Sequence, residues 1–372
     1  MASATPPGVD AAPASADGTK QARPARRLGR SAMSTSRTST SDTVRDLMVK
    51  YGFIVVTVAL IAWFALSEER FRQSSTMFSM LKFTSTVAIA GLGVTVTMVV
   101  GGLDLSVGAV AGMSVTLSAM TMVIWAQQGS VAIAVVLVAG AAVGAANAVL
   151  IVAFKIPDLL ATLAMMFIIQ GLKLVPVDGQ SVSSGMRMRD GTVAEGSFTE
   201  GFLDIDRGKI GPVPYPVIMF VVLTAAVWFF LTRTKWGRIM YAIGANPEAA
   251  RLTGVRVSLY KGAAYVISGV FASVAGLILA SRIRQGDISA GNSLLLDAVA
   301  VSLVGTSVLG LAKPNAWGTA LGAVLVGIVI TGLTIKNFSY YWQDVAKGVV
   351  VMVALVFSFT LSRRKARFVS AV

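Results

Sequence analysis

The sequence predicts an all-α integral membrane protein with about ten transmembrane helices and both termini in the cytoplasm. Three observations lead there. Of 372 residues, 55% are hydrophobic and 13% charged, about half the charged share of a soluble domain. Behind a polar N-terminal stretch lie ten apolar runs, most near the ~20 residues a bilayer requires. Basic residues collect in alternate connections between those runs, the bias that orients helices in a membrane. The formal charge of +14 therefore marks cytoplasmic segments rather than a nucleic-acid partner.

Residues 1–45 are rich in Ala, Ser, Thr, Pro and Arg and lack apolar periodicity. They read as a disordered, basic cytoplasmic tail able to touch anionic lipid. Polar sequence, not a short apolar core, follows Arg23–Arg37, which excludes a secretory signal there. Residues 46–372 form the polytopic domain. Its expected spans are Tyr51–Leu66, Leu81–Val100, Leu105–Ala126, Val131–Phe154 and Pro157–Val177, then Val213–Thr232, Lys261–Ser281, Leu294–Ala312, Asn315–Ile335 and Tyr341–Leu361.

An even number of spans puts both termini on one side. That side collects the tail arginines with Arg45 and Lys50, Lys155, a loop over 233–260 with Arg233, Lys235, Arg238, Arg251 and Arg256, then Lys313 and the run Arg363, Arg364, Lys365, Arg367. The opposite side holds the longest loop, 178–211, where Asp178, Asp190, Glu195, Glu200, Asp204 and Asp206 outnumber the basic residues. Arg282 and Arg284 break the pattern, with Asp287 a partial offset. The six tryptophans fall near span ends, as interfacial Trp does. Gly140, Gly144 and Asn147 mark one close-packing helix face, and Gly318, Gly322 and Gly327 mark another.

The polar loop between the sixth and seventh spans contains a short predicted helix. Asn246 is a good N-cap, Pro247 fits the first helical position and Glu248 suits the first turn. Gly254 provides the left-handed stop. A helix of about two turns is marginal alone, so it needs a surface, with Ala249, Ala250 and Leu252 as its contact residues.

Gly101–Gly108, GGLDLSVG, interrupts an apolar stretch of about 45 residues. It is either a tight cytoplasmic turn capped by Asp104 or a non-helical break at membrane depth, which lipid tolerates only when it is buried or lines a cavity. Asp104 and Ser106 are thus candidates for the translocation pathway. Asp297 is either a carboxylate favoured near a helix N-terminus or a pathway residue. Asn147 and Gln170 either hydrogen-bond between helices or contact a hydroxylated solute. Asp344 and Lys347 lie one turn apart and pair on one face.

Catalytic chemistry is poorly supplied. No Cys or His is present, so thiol nucleophiles, thiolate metal sites and imidazole acid–base chemistry are excluded. No Walker-type phosphate loop, G-x-S-x-G elbow or metalloprotease motif occurs. The chain reads as no enzyme and as carrying no cofactor or metal of its own.

The pattern Glu248-Ala249-Ala250-x-x-x-Gly254 resembles the EAA loop of membrane subunits of bacterial ABC importers. Five longer phrases resemble the ribose/xylose-type sugar permease branch of that family: GGLDLSVGAVAGMS from 101, IPDLLATLAMMFIIQGL from 156, GRIMYAIGANPEAARLTGV from 237, LDAVAVSLVGTS from 296 and YYWQDVAKGVVV from 340. They occur in family order over about residues 50–361. The Gly-Gly-x-Gly run common after the fourth phrase is replaced by LGLAKPNAWG. The resemblance implies a ten-helix permease in the bacterial cytoplasmic membrane, paired with a second permease copy, either identical or a close paralogue. Two cytoplasmic ATPase subunits would carry ATP and Mg, and an extracytoplasmic solute-binding protein would dock on the 178–211 loop. Arg238, Asn246, Pro247, Glu248, Ala249, Ala250 and Gly254 become the ATPase-coupling residues, and a monosaccharide becomes the expected solute. The alternative is an ion-coupled secondary transporter using Asp104, Asp297 or Asp344.

Overall fold

The computed structural model describes residues 55–188, 191–307, 313–339, 341–350 and 352. The expected disordered tail and the basic C-terminal run lie outside the described residues. The remainder is a bundle of helices: α1 (Val55–Ser67), α2 (Ser74–Val99), α3 (Val107–Ala119), α4 (Gly129–Val152), α5 (Asp158–Leu172), α6 (Glu200–Arg207), α7 (Tyr215–Arg233), α8 (Lys235–Ala245), α9 (Pro247–Leu252), α10 (Val257–Ile283), α11 (Asn292–Ser307) and α12 (Ala316–Ile335). A further helix, α13, covers 341–350. Seven segments are long and apolar enough to cross a membrane, among them α3 continued to Ile124 and α5 continued to Val177, and α1 and α11 are shorter apolar helices. The chain is thus an all-α, multi-pass membrane protein.

Helices α2, α3 and α10 form the interior. α2 packs against α7, α10, α11 and α12, and α3 against α4, α5, α10 and α11. Their small and β-branched residues, among them Ala88, Ile89, Val94, Val110, Ala111, Ala272 and Ile278, meet in one buried cluster. The outward faces of α4, α5 and α7 expose apolar side chains such as Val138, Phe167 and Val222, the surface that lipid requires of a spanning helix.

The α4–α10 contact is made backbone to backbone. A Cβ at Gly144 would fall on the Tyr265 carbonyl, and one at Gly269 on the Gly140 carbonyl. The expected face through Gly140, Gly144 and Asn147 is therefore real, and Asn147 is fully buried. The second expected face divides. Gly318 and Gly322 lie against Gly305 and Val301 of α11, whereas Gly327 lies against Thr84 of α2.

Three expectations are corrected. The second span begins at Ser74 rather than Leu81, two turns earlier, with Ser74, Ser75 and Ser79 exposed. The 233–260 loop holds two helices, since Met240 and Ile243 give the segment before Asn246 an apolar face of its own. The 178–211 loop also carries structure: α6 buries Phe202 and Leu203, and Lys209–Ile210 pairs antiparallel with Val213–Pro214. Asp206 accounts for the Arg282 misfit, accepting from Arg282 Nε at 3.1 Å and from Lys82 Nζ at 2.7 Å. One buried carboxylate thus bridges two cations at this end of the bundle.

Replacing Gly144 with Val forces α4 away from α10 and should destabilise the protein by about 3 kcal/mol, the upper end of overpacking costs. Gly171 lies in α5 with open space around its Cβ position, so Gly171→Ala should hold or slightly raise the thermal midpoint, because Ala suits a helix better than Gly. Thermal unfolding of both variants in detergent checks the pair.

Candidate functional site

The break between α2 and α3 is a polar knot at one end of the bundle. α2 stops at Val99. Gly101 turns the chain at φ +80°, and the N–H groups of Gly101 and Gly102 return to the Met98 and Thr97 carbonyls at 3.0 and 2.9 Å. Asp104, 1% exposed, then caps the restart. Its Oδ1 accepts from the Ser106 N–H at 2.9 Å and from Ser106 Oγ at 2.6 Å. Asn147 Nδ2 of α4 donates to the same Ser106 Oγ at 2.9 Å. The chain of donors runs in one direction, Asn147 to Ser106 to Asp104, which fixes how the Asn147 amide is turned.

Neighbouring helices close over the knot. Thr162 Oγ1 of α5 lies 3.3 Å from the Leu103 carbonyl. Asp158 begins α5, where a carboxylate suits the helix dipole, and it pairs with Lys261 of α10 at 2.9 Å. Tyr265 and Ser268 of α10 are fully buried. Asn147 lies five residues before the end of α4, or about 8 Å at 1.5 Å per residue. Tyr265 lies eight residues past the start of α10, or about 12 Å. The knot is therefore sunk one to two turns into the bundle, deeper than a surface turn.

Helices α8 and α9 lie directly against this end. A Cβ at Gly244 would fall on the Val99 carbonyl, so the C-terminus of α8 touches the last turn of α2. Met240 and Ile243 of α8 and Ala250 of α9 share a buried cluster with Leu92, Val96, Val99 and Val100. The Tyr241 hydroxyl donates to the Pro314 carbonyl at 2.7 Å, tying α8 to the segment before α12. Burial raises the Tyr241 phenol above its ordinary pKa, which keeps this donor protonated.

The predicted caps hold. Asn246 Oδ1 accepts from the Ala249 N–H at 3.0 Å, Pro247 sits at the first helical position, and Gly254 takes φ +81°. Glu248 pairs with Arg251 on the exposed face at 3.0 Å, and Arg238 donates to the Arg233 carbonyl. The contact face is narrower than expected. Only Ala250 turns inward, whereas Ala249 is exposed and Leu252 is 89% exposed.

The other pathway candidates lie apart. Gln170 is half-buried in α5 and makes no hydrogen bond. Asp297 is the sixth residue of α11, beyond the first turn. It pairs with Lys347 of α13 at 3.0 Å, and Asp344 approaches the same amine at 3.4 Å. The expected Asp344–Lys347 pair is thus a trio whose buried member is Asp297. The sequence reading missed Asp158, Lys261, Tyr265 and Ser268. A Pro-Asp pair opening an apolar run, and a Lys one helical turn before a Tyr, were the available signals.

Among the described residues no group of three or more acidic residues could hold a metal ion. The site joins a broken helix buried in the bundle to a pair of short helices at its surface, which suits a transport subunit worked by a partner. The chain belongs to the family described as the permease component of the branched-chain amino acid transport system, which it matches over residues 76–356. It is similar to the ribose import permease protein RbsC of Escherichia coli K12, at 32% identity over 303 residues, covering 82% of this chain and 91% of that protein. RbsC of Haemophilus influenzae is 30% identical over 334 residues, covering 90% and 100%. The D-allose transport system permease protein AlsC of Escherichia coli is 27% identical over 316 residues, covering 84% and 93%. No solved structure matches the chain significantly.

Two substitutions test the site's energetics. Lys347→Met leaves Asp297 buried without its cation and should cost about 3–5 kcal/mol, whereas Asp297→Asn combined with Lys347→Met should recover most of that loss. Ser106→Ala removes the hydroxyl that Asp104 and Asn147 share and should cost about 1–3 kcal/mol; Ser67→Ala, at an exposed position, should cost nothing. Denaturation midpoints in matched detergent separate these outcomes.

Proposed function

We propose that this chain is the membrane permease of an ATP-driven importer for a small hydroxylated solute, with a monosaccharide as the favoured class. The observation that carries the reading is the α8–α9 unit. Its inner face is packed against the end of α2, while its outer face presents Glu248, Ala249, Arg251 and an almost fully exposed Leu252. A six-residue helix is too short to be stable alone. It is held from below and uncovered above, the arrangement of a lever awaiting a partner. The family description, a permease component, and the import permeases for ribose and allose among its relatives support the same reading. The solute class follows those sugar-named relatives, which match most of the chain, over the amino acids of the family description.

In this reading ten helices cross the bacterial cytoplasmic membrane, and both termini and the α8–α9 unit face the cytoplasm. A second permease copy completes the pathway. Two ATPase subunits bind ATP and Mg and seat on α8–α9, and a solute-binding protein delivers its load to the 178–211 face. When the ATPases close and open, α9 moves with them. α8 carries that movement to Val99 through Gly244, where the α2–α3 break lies. Arg238, Asn246, Pro247 and Glu248 shape this lever rather than act as chemical groups. Asp104, Ser106 and Asn147 hold the break it pushes on.

The test is uptake in proteoliposomes. Transport should require ATP and a separate Walker-bearing polypeptide, and should survive collapse of the proton gradient. Uptake that follows the gradient and ignores ATP overturns the proposal. Gly254 has a left-handed φ that a side chain adopts only with strain. Gly254→Leu should therefore leave insertion intact and reduce uptake per ATP hydrolysed by about tenfold, the effect of ~1.4 kcal/mol on a coupling equilibrium. Normal stoichiometry in that variant would count against the lever.

A further inference from the structure

The junction of α7 with α8 is crowded with cations. Residues 233–261 contain six basic side chains, Arg233, Lys235, Arg238, Arg251, Arg256 and Lys261, against one carboxylate, Glu248. Two of the six are paired, Arg251 with Glu248 and Lys261 with Asp158. The other four, Arg233, Lys235, Arg238 and Arg256, are exposed and meet no carboxylate among the described residues.

Contacts between three helices gather these four. Arg238 Nη1 donates to the Arg233 carbonyl at 3.2 Å, which ties the first turn of α8 to the last residue of α7. The Arg233 guanidinium lies 5.7 Å from the centre of the Trp228 ring. Trp236 of α8 meets Tyr260 of α10, with ring centroids 4.9 Å apart. Arg256 caps α10, about one helical turn before Tyr260. The cations thus surround an aromatic pair that spans α8 and α10.

The patch stands where two spanning segments reach the same membrane face. α7 ends at Arg233, α10 begins at Val257, and both are long and apolar enough to cross. Phe229, Trp236 and Leu259 are exposed beside the cations, and Trp and Tyr rings settle at headgroup depth. An acidic soluble protein would answer the charge and leave Phe229 and Leu259 unanswered. An acidic phospholipid answers both. Its phosphate suits guanidinium groups, which bind it through paired hydrogen bonds, and its acyl chains suit the apolar side chains. Basic clusters next to spanning helices recognise anionic headgroups in this way.

We infer that the α7–α8 junction, with the start of α10, binds the headgroup of an acidic phospholipid through Arg233, Lys235, Arg238 and Arg256. The lipid anchors the base of α8 at the membrane surface and leaves the outer face of α9 uncovered. Its binding needs neither an ATPase nor a solute. The proposal therefore stands apart from the importer reading and is measured without transport.

The experiment uses the full chain in nanodiscs of phosphatidylcholine with rising fractions of phosphatidylglycerol, at fixed pH and ionic strength. A saturable rise in the thermal midpoint of about 2–4 °C is expected at tenfold excess over half-saturation. Arg233→Gln and Arg256→Gln should each raise the half-saturating fraction about fivefold and keep the parent midpoint in phosphatidylcholine alone. Should either variant not fold, Lys235→Gln carries the test with the same expected shift. Lys209→Gln, which removes an exposed cation of the 178–211 loop, should leave the half-saturating fraction unchanged. Equal midpoints at every lipid fraction overturn the inference. A response that Lys209→Gln weakens as much as Arg256→Gln reports only the diffuse field of a basic protein and also overturns it. An equal rise with inorganic phosphate in phosphatidylcholine discs assigns the patch to a free anion and overturns it. Loss of ATPase binding in Arg256→Gln with no lipid response assigns the patch to a partner protein, with the same result.

Discussion

A spanning helix can be interrupted at membrane depth only where protein groups or cavity water satisfy the freed backbone groups. That constraint governs the α2–α3 break, and much of the bundle is arranged to meet it. The carbonyls of Met98 and Thr97 are taken by the two glycine N–H groups, and the Ser106 N–H by Asp104. The side chains that finish the work come from outside the break. Asn147 of α4 donates to Ser106 Oγ, and Thr162 of α5 stands 3.3 Å from the Leu103 carbonyl. These helices can supply them only because they stand close. At the α4–α10 crossing that closeness rests on glycines with no room for a methyl group. The glycine stripe and the polar knot are thus parts of one structure, in which the stripe sets the distance and the knot uses it.

Position gives the knot its mechanical meaning. α8 ends against the Val99 carbonyl, one residue from where α2 loses its regular geometry. A rigid helix of α2's length would pass a push along its axis into the bundle core. In the importer reading, a helix that ends there would pass the push to a segment with its own hydrogen-bond set, tied to α4 through Asn147. Packed interiors change between discrete arrangements rather than deforming smoothly. A polar joint between two apolar helices is a place where such a change can occur without unmaking the core.

The sequence made some of this legible and withheld the rest for identifiable reasons. Asn246, Pro247 and Gly254 announced α9 because caps and stops act through one or two residues, and each adopts the geometry its chemistry favours. α8 stayed hidden because its face rests on only a few apolar residues, Met240 and Ile243 among them, inside a stretch that reads as polar. Asp104 stood out as a charge within an apolar run, yet its depth could not be read, since depth depends on where α4 and α10 end beside it. Asp297 was ambiguous for a related reason. Its partner Lys347 lies fifty residues away, and the visible i,i+3 neighbour Asp344 is the weaker of that lysine's two contacts.

The ion pairs distribute fixity unevenly across the bundle. At the end bearing the 178–211 loop, Asp206 gathers Lys82 and Arg282, Glu68 meets Lys336 at 3.2 Å, and Asp297 meets Lys347. These bridges join α2, α6 and α10, join the α1 end to the α12 end, and join α11 to α13. At the opposite end one half-buried bridge among the described residues, Asp158–Lys261, joins α5 to α10, and the contacts of α8 and α9 with the core are mainly apolar. Ion pairs hold their partners in one geometry at a desolvation cost, whereas apolar contacts exchange neighbours at little cost when volumes match. The end that α8 and α9 occupy is therefore the end better able to rearrange. A bundle pinned by charge at one end and packed by apolar contact at the other can open and close about its pinned end, and α8–α9 lie where the displacement would be largest.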